Sequence, residues 1–411
     1  MHDRDDARAP GLDADARDTL LTALALALGA AVSLGLARFS YALLLPPMRA
    51  DLGWSYFTAG AMNTLNAAGY LAGALAAPRL MGRIGARGAL LGGSLGAAIC
   101  LALHAATRDD TWLYALRFAT GAASAAVFVS GGLMAARLGT RPNLGSGITP
   151  SLVLGLYYGG TGLGIVASAW LVPPLVALPA GAGSGWPWAW LALGALAAGA
   201  IVPMARRSRD TPAPAAATAR AEAFDPRPFA FGLAGYFMFG LGYIGYMTFI
   251  VTLLREQHLS TGTVVAFYTV LGLGVVASPW LWAGLLQRSR GGQALALLSG
   301  LLALATALPV VVPHAVAAFV SGALFGAVFL SVVASTTALV RHKLPQAAWA
   351  RGISAFTIVF AFGQIVGPSL VGRLADGPGG LRTGLLVSAA ALLLGAALAS
   401  RQRPLAERDH P

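Results

Sequence analysis

Two arginines inside long apolar stretches are the residues of this chain best suited to chemistry. Arg38 lies in an apolar run from Leu20 to Met48, where no acidic residue follows it until Asp51, and Arg117 lies in a second such run. A guanidinium group stays charged at any relevant pH and offers a planar fork of donors, which suits a carboxylate or another oxyanion. The two side chains are therefore candidates to bind an anion.

The rest of the sequence offers little for other kinds of chemistry. All 16 acidic residues lie outside the segments that we predict to cross the membrane, so no carboxylate serves there as a proton carrier or general base. The single cysteine, Cys100, rules out an intrachain disulfide, and no cysteines and histidines have the spacing of a metal site. We predict no catalytic residue, no metal and no cofactor, and we do not expect an enzyme.

The composition indicates a chain built for lipid. Of its 411 residues, 57% are hydrophobic and 11% are charged, whereas about 25% are charged in a soluble domain. The apolar runs reach the ~20 residues that a helix needs to cross a bilayer, and helices satisfy their own backbone groups there. The net charge of +12 comes from basic residues at helix ends, so we expect no nucleic-acid partner. The predicted fold class is an all-α polytopic membrane protein.

We predict twelve transmembrane helices with both termini in the cytosol. In this arrangement the cytosolic segments hold 21 of the 28 basic residues and the outer loops hold five, as the positive-inside rule requires. Counted from the outer helix ends at ~1.5 Å per residue, Arg38 lies about 15 Å deep and Arg117 about 10 Å deep. The predicted spans are 19–48, 55–78, 88–107, 111–136, 149–175, 187–205, 229–254, 262–286, 292–312, 314–340, 348–372 and 381–400.

Internal similarity divides the spans into two related halves. Residues 35–41 match 240–246 at an offset of 205 residues, and a second, shorter match has the same offset. Residues 121–128 also match 322–329. The first of these matches places Tyr243 where the first half has Arg38. The predicted organisation is a cytosolic N-terminal tail at 1–18, a six-helix bundle at 19–205, a cytosolic linker at 206–228, a second six-helix bundle at 229–400 and a cytosolic C-terminal tail at 401–411.

Short motifs resemble those of the major facilitator superfamily. Arg117 and Gly121 reproduce an Arg-x-x-x-Gly element, and residues 78–87 resemble the loop motif Gly-x-x-x-Asp-Arg-x-Gly-Arg-Arg, with Gly82 at the acidic position. More narrowly, residues 38–48 resemble the bacterial YbfB/YjiJ-type transporters. The resemblance covers nearly the whole chain. It implies two parallel six-helix repeats in the bacterial cytoplasmic (inner) membrane, which rock around a site at the midplane.

Further polar and aromatic residues complete the candidate site. The predicted substrate-binding residues are Arg38, Tyr41, Asn66, Arg117, Tyr243, Tyr246 and Gln364. Structural alternatives remain open, because Arg38 could snorkel to the interface or bond to carbonyls freed near Pro46 and Pro47, and Arg117 could simply order its helix. Asn66 and Gln364 could equally form hydrogen bonds between helices. We assign gating or conformational roles to Arg79, Arg83, Arg87, Gly121, Gly367 and Pro368.

The sequence therefore predicts a secondary active transporter that works by alternating access. Its expected cargo is a small organic anion of the carboxylate type, bound by Arg38 in a central cavity. The first alternative is an exporter of neutral or amphipathic small molecules in which Arg38 and Arg117 are structural. The second is a membrane receptor that binds a ligand without transporting it. The expected partners are an anionic small molecule and the lipid bilayer, and we expect a monomer.

Overall fold

A computed structural model describes residues 13–180, 183–208, 225–344 and 348–404. Nearly all of this part of the chain is helical, and within it eleven helices are long and apolar enough to cross a membrane. The prediction of an all-helical protein with many membrane spans is therefore confirmed. Most of the predicted tails and most of the predicted linker lie outside the described residues.

The helices follow one another through short connections, and the first membrane span is built from α1, a π-helix and α2 in succession. The α-helices are α1 (Ala14–Ala30), α2 (Tyr41–Leu52), α3 (Tyr56–Leu103), α4 (Asp110–Leu138), α5 (Pro150–Val176), α6 (Trp186–Arg207), α7 (Ala230–Glu256), α8 (Thr261–Leu281), α9 (Ala283–Arg288), α10 (Gln293–Val311), α11 (Ala315–Lys343), α12 (Trp349–Ala375) and α13 (Gly380–Ser400). The remaining elements are the π-helix (Ala31–Phe39), two 3-10 turns (His104–Ala106 and Arg227–Phe229) and a hairpin of β1 (Pro179–Ala180) and β2 (Gly183–Ser184). The hairpin was not predicted from the sequence.

The first helix begins five residues earlier than predicted, because Asp13 caps it. The Asp13 carboxylate accepts hydrogen bonds from the backbone N–H of Ala16 at 2.6 Å and from that of Ser146 at 2.9 Å. It also accepts one from the Ser146 hydroxyl at 2.7 Å. These hydrogen bonds hold the pKa of Asp13 below its usual value. The cap ties the start of α1 to the connection between α4 and α5.

The long helix α3 reverses direction at Gly85. This residue has φ +76° and ψ 164°, a conformation that glycine adopts readily and other residues rarely do. The two arms of α3 both pack on the middle of α4, where Gly73 approaches Ala122 and a Cβ on Gly93 would lie 3.0 Å from the Ala123 carbonyl oxygen. On a straight helix Gly73 and Gly93 would be about 30 Å apart. The second and third predicted spans correspond to these two arms.

Two seams of close helix packing join the α1–α6 part of the chain to the α7–α13 part. In one seam, α5 meets α8 where the Gly162 and Gly272 backbones leave no room for a Cβ. In the other, the first arm of α3 meets α12 where Gly60 faces the Pro368 carbonyl and Gly372 faces the Tyr56 carbonyl. Small residues allow membrane helices to approach this closely and to gain van der Waals contact. The seams enclose a central space between the two parts of the chain.

Candidate functional site

Arg38 lies in the π-helix that interrupts the first membrane span. The Ser40 N–H donates to the Gly35 carbonyl at 3.0 Å, five residues back, so the helix is wider here than an α-helix. Gly35 packs directly on Gly164 of α5, which leaves no space for a side chain at either residue. Single π-helical turns occur frequently at functional sites, because they re-aim the side chains around them. The packing at Gly35 holds the backbone of the π-helix three residues before Arg38.

Two side chains satisfy carbonyl groups of the π-helix. The Arg117 Nη1 donates to the Ala37 carbonyl at 2.9 Å, and the Tyr268 hydroxyl of α8 donates to the Phe39 carbonyl at 2.6 Å. A polar backbone group left unpaired at membrane depth costs several kcal/mol. These two hydrogen bonds therefore stabilise the irregular backbone on either side of Arg38.

The Arg38 side chain is buried but only partly satisfied. It is 3% exposed, and its Nη2 donates to the Oε1 of Gln364 on α12. The guanidinium carbon lies 5.5 Å from the centroid of the Tyr70 ring. The Nε has no hydrogen-bond partner, and Arg38 forms no ion pair with a described residue. A buried cation here faces a neutral amide and an aromatic ring, with no described acidic group to balance it.

Arg38 lines a cavity of about 340 Å³ between the two parts of the chain. Eight of the 21 lining residues are aromatic, with four from each part: Phe39, Tyr70, Phe128 and Tyr158 from the first, and Tyr236, Tyr243, Phe329 and Phe360 from the second. The other polar side chains of the lining are those of Gln364 and Thr357. Ligand pockets typically combine such an apolar wall with a few placed polar groups.

The cavity is closed at the level of Arg38 and opens toward Thr357. Arg38, Tyr243 and Gln364 are buried, whereas Tyr158 is 37% exposed and Thr357 is exposed as well. We call this side of the molecule the Thr357 end; α5, α7 and α12 begin there. The other side, where α3 begins and α12 ends at Asp376, is called the Asp376 end.

The Asp376 end is sealed by hydrogen bonds between the two parts of the chain. The Asp376 carboxylate accepts from the backbone N–H of Tyr56 at 2.7 Å and of Phe57 at 2.9 Å, and so caps the first turn of α3. The Tyr56 hydroxyl donates to the Glu256 carboxylate at the end of α7. A carboxylate at a helix N-terminus is favoured by the helix dipole as well as by the hydrogen bonds. Here the cap comes from the opposite part of the chain.

Deeper in the same seal, polar side chains link α3 with α7 and α12. The Asn63 amide donates to the Thr248 hydroxyl at 2.8 Å. The Thr64 hydroxyl lies 2.8 Å from the Ser369 hydroxyl and donates to the Ile365 carbonyl at 2.8 Å. The seal therefore runs from the surface at Asp376 down to the level of Arg38, and separates the cavity from this end.

Arg117 is held away from the cavity and has protein acceptors for its donors. It is fully buried; its Nη2 donates to the Asn63 Oδ1 at 2.7 Å and its Nε to the Met62 carbonyl at 3.4 Å, in addition to the bond to Ala37. Its guanidinium carbon lies 4.9 Å from the centroid of the Tyr41 ring. Arg117 does not line the cavity. It connects α4 to α3 and to the π-helix.

The structure brings together three of the predicted site residues and places the others elsewhere. Arg38, Tyr243 and Gln364 all line the cavity. Tyr41 donates to the Ala59 carbonyl at 2.9 Å, and Asn66 donates to the Arg117 carbonyl at 3.2 Å. The Tyr246 hydroxyl lies 2.6 Å from that of Ser321 on α11. Tyr41, Asn66 and Tyr246 thus have partners within the protein and lie outside the lining.

Of the eight rings of the lining, the sequence predicted Tyr243 alone as a site residue. Phe128 and Phe329 hold equivalent places in the internal match of 121–128 with 322–329, and that symmetry was a usable signal. Phe360 has no such signal, because one phenylalanine among the apolar residues of a membrane helix is indistinguishable from packing.

The residues assigned to gating fall into two groups. Gly121, Gly367 and Pro368 lie at close helix contacts, with Gly121 facing the Asn66 carbonyl and Gly367 facing the Leu241 carbonyl. By contrast, the three arginines near the reversal of α3 lie at the surface. Arg79 and Arg83 are exposed, and Arg87 donates a hydrogen bond to the Ala205 carbonyl at 3.2 Å.

Known structures with the same fold are membrane transporters. The chain is similar to a bacterial homolog of the human lysosomal transporter Spinster, crystallised in an inward-facing and unoccupied conformation, with a TM-score of 0.71, 14% identity and coverage of 93% of this chain and 96% of that one. It is also similar to the nucleoside transporter NupG, with a TM-score of 0.66, 14% identity and coverage of 95% and 99%. At this identity the likeness establishes the fold alone.

The sequence itself matches a family of transporters. No curated protein shows a significant sequence match to the chain. The model of the family described as "Uncharacterised MFS-type transporter YbfB" matches residues 30–400. That match spans nearly all of the helical region and includes every residue that lines the cavity. The chain therefore belongs to this family, and it is a multi-pass membrane transporter of the major facilitator type rather than an enzyme.

Proposed function

We propose that the protein transports a small organic anion that binds to Arg38 in the central cavity. The observation that carries the proposal is the partly satisfied Arg38 guanidinium, which is 3% exposed, faces the cavity and lacks an ion pair with any described residue. An arginine at membrane depth costs about 2.5–3.5 kcal/mol on insertion scales unless it is compensated, and such residues mark substrate pathways. A bound carboxylate supplies the missing charge and a partner for the free Nε.

The proposed transport cycle uses two six-helix halves, 19–205 and 229–400, and twelve membrane crossings. Counting the two arms of α3 as separate crossings brings the eleven candidate spans to twelve. The distribution of basic residues supports both termini in the cytosol of a bacterial inner membrane. The Thr357 end then faces the cytosol, and the arrangement of the helices is inward-facing. We expect a monomer to be the working unit.

In this cycle the seal at the Asp376 end opens while the cavity closes at the Thr357 end. Opening breaks the cap that Asp376 places on Tyr56 and Phe57, and it also breaks the bond between Arg38 and Gln364. Because Gln364 and a bound anion compete for the same guanidinium, the anion offsets the loss of that bond. We propose that Arg117 acts as a positioning residue, which holds the π-helix in place through the Ala37 carbonyl.

A second candidate function is transport of a neutral or amphipathic compound. The specific observation in its favour is that eight aromatic rings and several aliphatic side chains form most of the cavity wall, with one charged residue among them. In that case the amide of Gln364 and the ring of Tyr70 are the only compensation that Arg38 receives. The two candidate functions predict different effects on substrate uptake when the charge of Arg38 is removed.

Uptake by purified protein in tight liposomes tests the proposal. Labelled benzoate and labelled benzamide differ in charge and share the same ring, so they separate the two candidates. Under the proposed function Arg38→Ala abolishes benzoate uptake and Arg38→Lys restores little, because lysine cannot form the two parallel hydrogen bonds. Arg382→Ala, which removes an exposed arginine distant in sequence, is the matched control and should leave uptake intact. Undiminished benzoate uptake by Arg38→Ala would reject the assignment.

A further inference from the structure

The polar groups of the cavity lie at two levels, separated by two helical turns. On α7, Tyr243 lies beside Arg38 and Tyr236 lies seven residues nearer the Thr357 end. On α12, Gln364 bonds to Arg38, and Thr357 lies seven residues nearer the same end. Seven residues of helix correspond to about 10 Å. The cavity therefore has a charged, closed end and an uncharged polar end about 10 Å away.

Aromatic rings in nearly the same orientation form the wall between these two levels. The Phe360 ring lies 4.8 Å from that of Tyr236 and 5.6 Å from that of Tyr243, with interplanar angles of 18° and 17°. The Phe329 ring lies 6.0 Å from that of Tyr243 at an angle of 9°. These rings all belong to the second part of the chain. The rings are stacked on one another, and together they form a continuous aromatic column along one side of the cavity.

The opposite wall is also aromatic and carries free hydroxyl groups. The Phe128 ring lies 5.7 Å from that of Tyr158 and 6.5 Å from that of Tyr70. The hydroxyls of Tyr70 and Tyr158 on this wall, and that of Tyr243 on the facing wall, form no hydrogen bond with the described residues, and all three tyrosines line the cavity. Tyr158 is the member of this group closest to the Thr357 end. A ligand can thus hydrogen-bond at both ends of the cavity while its centre is in contact with rings.

The charge of the lining favours one negative group at the closed end of the cavity. Arg38 is the only charged side chain among the lining residues, all of which the structure describes. Burying a carboxylate without a cation is strongly unfavourable, so the buried carboxylate of a ligand belongs beside Arg38. Outside the lining, Arg341 interacts electrostatically with Tyr158 at the Thr357 end, where the cavity is open. The tyrosine and threonine hydroxyls of that end suit an uncharged polar group on the ligand.

We propose that the transported anion is an aromatic monocarboxylate with a hydrogen-bonding substituent on the far side of the ring, of the class of 4-hydroxybenzoate. The carboxylate binds Arg38, the ring lies between Phe360 and Phe128, and the substituent reaches Tyr158 and Thr357. This inference rests on the proposed anion function and adds a preference for the ring. Pairs of aromatic rings contribute beyond the burial of apolar area, and that contribution corresponds to about a two- to tenfold gain in affinity.

Affinities of the full-length protein in detergent for three acids test this inference. The probes are 4-hydroxybenzoate, benzoate and cyclohexanecarboxylate, of which the last keeps the carboxylate and six-membered ring but is not aromatic. We expect 4-hydroxybenzoate to bind most tightly, and cyclohexanecarboxylate to bind about two- to tenfold more weakly than benzoate. Equal affinities for benzoate and cyclohexanecarboxylate would overturn the inference.

Two substitutions locate the preference in the cavity. Phe360→Leu should reduce the ratio of affinities for benzoate over cyclohexanecarboxylate, and Tyr158→Phe should reduce the ratio for 4-hydroxybenzoate over benzoate. Phe362→Leu is the matched control for Phe360→Leu, because Phe362 lies two residues away on the same helix, is 55% exposed and does not line the cavity. An equal change of the first ratio in both leucine variants would contradict the assignment to the Phe360 ring.

Failure of the ring preference and failure of the anion function give different results. If all three acids bind equally and all are lost in Arg38→Gln, the anion function stands and the aromatic preference is wrong. If none of the acids binds to the wild-type protein, or if Arg38→Gln binds them as well as the wild type does, both are wrong. The comparison of the three acids on the wild-type protein does not depend on whether any variant folds.

Discussion

Two buried arginines in the first part of the chain have opposite surroundings. Arg117 donates to the Ala37 and Met62 carbonyls and to the Asn63 amide oxygen, and it does not line the cavity. Arg38 has one amide partner, a free Nε and the cavity beside it. Residue type and depth in the membrane are alike, so they do not determine the role. What differs is the number of acceptors that the neighbouring backbone and side chains supply.

We propose that this difference separates a structural from a functional charge in a membrane interior. A charge that the protein satisfies completely contributes to the fold, and its removal leaves several acceptors without partners. A charge that the protein satisfies only partly favours binding of a ligand that supplies the missing acceptor and the opposite charge. The two are connected here, because Arg117 bonds to the carbonyl that directly precedes Arg38 in the π-helix.

The largest expected effect is on stability, in Arg117→Leu. This substitution leaves the Ala37 carbonyl and the Asn63 side chain without a donor, and each such loss costs about 1–3 kcal/mol. We expect the free energy of unfolding to fall by about 2–5 kcal/mol, which a thermal melt in detergent detects as a large decrease in the melting temperature. Arg38→Leu should change it by less than about 1 kcal/mol, since one bond to Gln364 is lost together with the cost of a buried charge. Equal destabilisation by the two would contradict the comparison.

How much of this contrast could be predicted from the sequence depends on the residue. Arg38 could be identified, because a charge inside an apolar run is conspicuous, and Tyr243 followed from the internal repeat. The bonds of Arg117 could not be predicted, since one of its acceptors is a carbonyl of the π-helix and no residue pattern specifies that turn. Phe360 was equally hidden, because it is indistinguishable from ordinary membrane-helix packing, whereas the internal repeat relates Phe128 to Phe329. The helical spans were predictable from hydropathy, whereas the early start of α1 depends on the cap at Asp13.

An intermediate effect is expected at the seal, in Asp376→Asn. The asparagine keeps the shape but loses the charge that favours the first turn of α3, an effect of about 0.5–2 kcal/mol. We expect the population to shift toward states open at the Asp376 end. Spin labels at Leu103 and Val316, at the end of α3 and near the start of α11, would report a longer distance by electron resonance in a background without Cys100.

Asp109→Asn is the matched control for that experiment. Asp109 caps α4 through the backbone N–H of Trp112 at 3.0 Å, within its own part of the chain. It should lower stability by a similar amount without changing the distance between the same two labels. An unchanged distance in Asp376→Asn would show that the cap does not hold the seal closed.

The smallest expected effect is that of Tyr268→Phe, which removes one hydrogen bond to the π-helix. Loss of the bond to the Phe39 carbonyl should cost about 1 kcal/mol and weaken benzoate binding about two- to fivefold, because the neighbouring Arg38 is held less firmly. Tyr114→Phe removes a comparable bond to the Thr58 carbonyl and should not change affinity. Isothermal calorimetry on both variants compares them, and equal weakening would mean that the π-helix has no special part in binding.

The central claim is that Arg38 supplies the charge that binds an anion, and the affinity ratio of benzoate to benzamide tests it most directly. The two ligands have the same ring and nearly the same shape, so the ratio isolates the charge. We predict that the wild-type protein and Arg382→Ala favour benzoate by about tenfold or more, as a charge-assisted pair implies. Arg38→Gln should bring the ratio close to one while retaining a normal melting temperature. A ratio that is unchanged in Arg38→Gln would contradict the account.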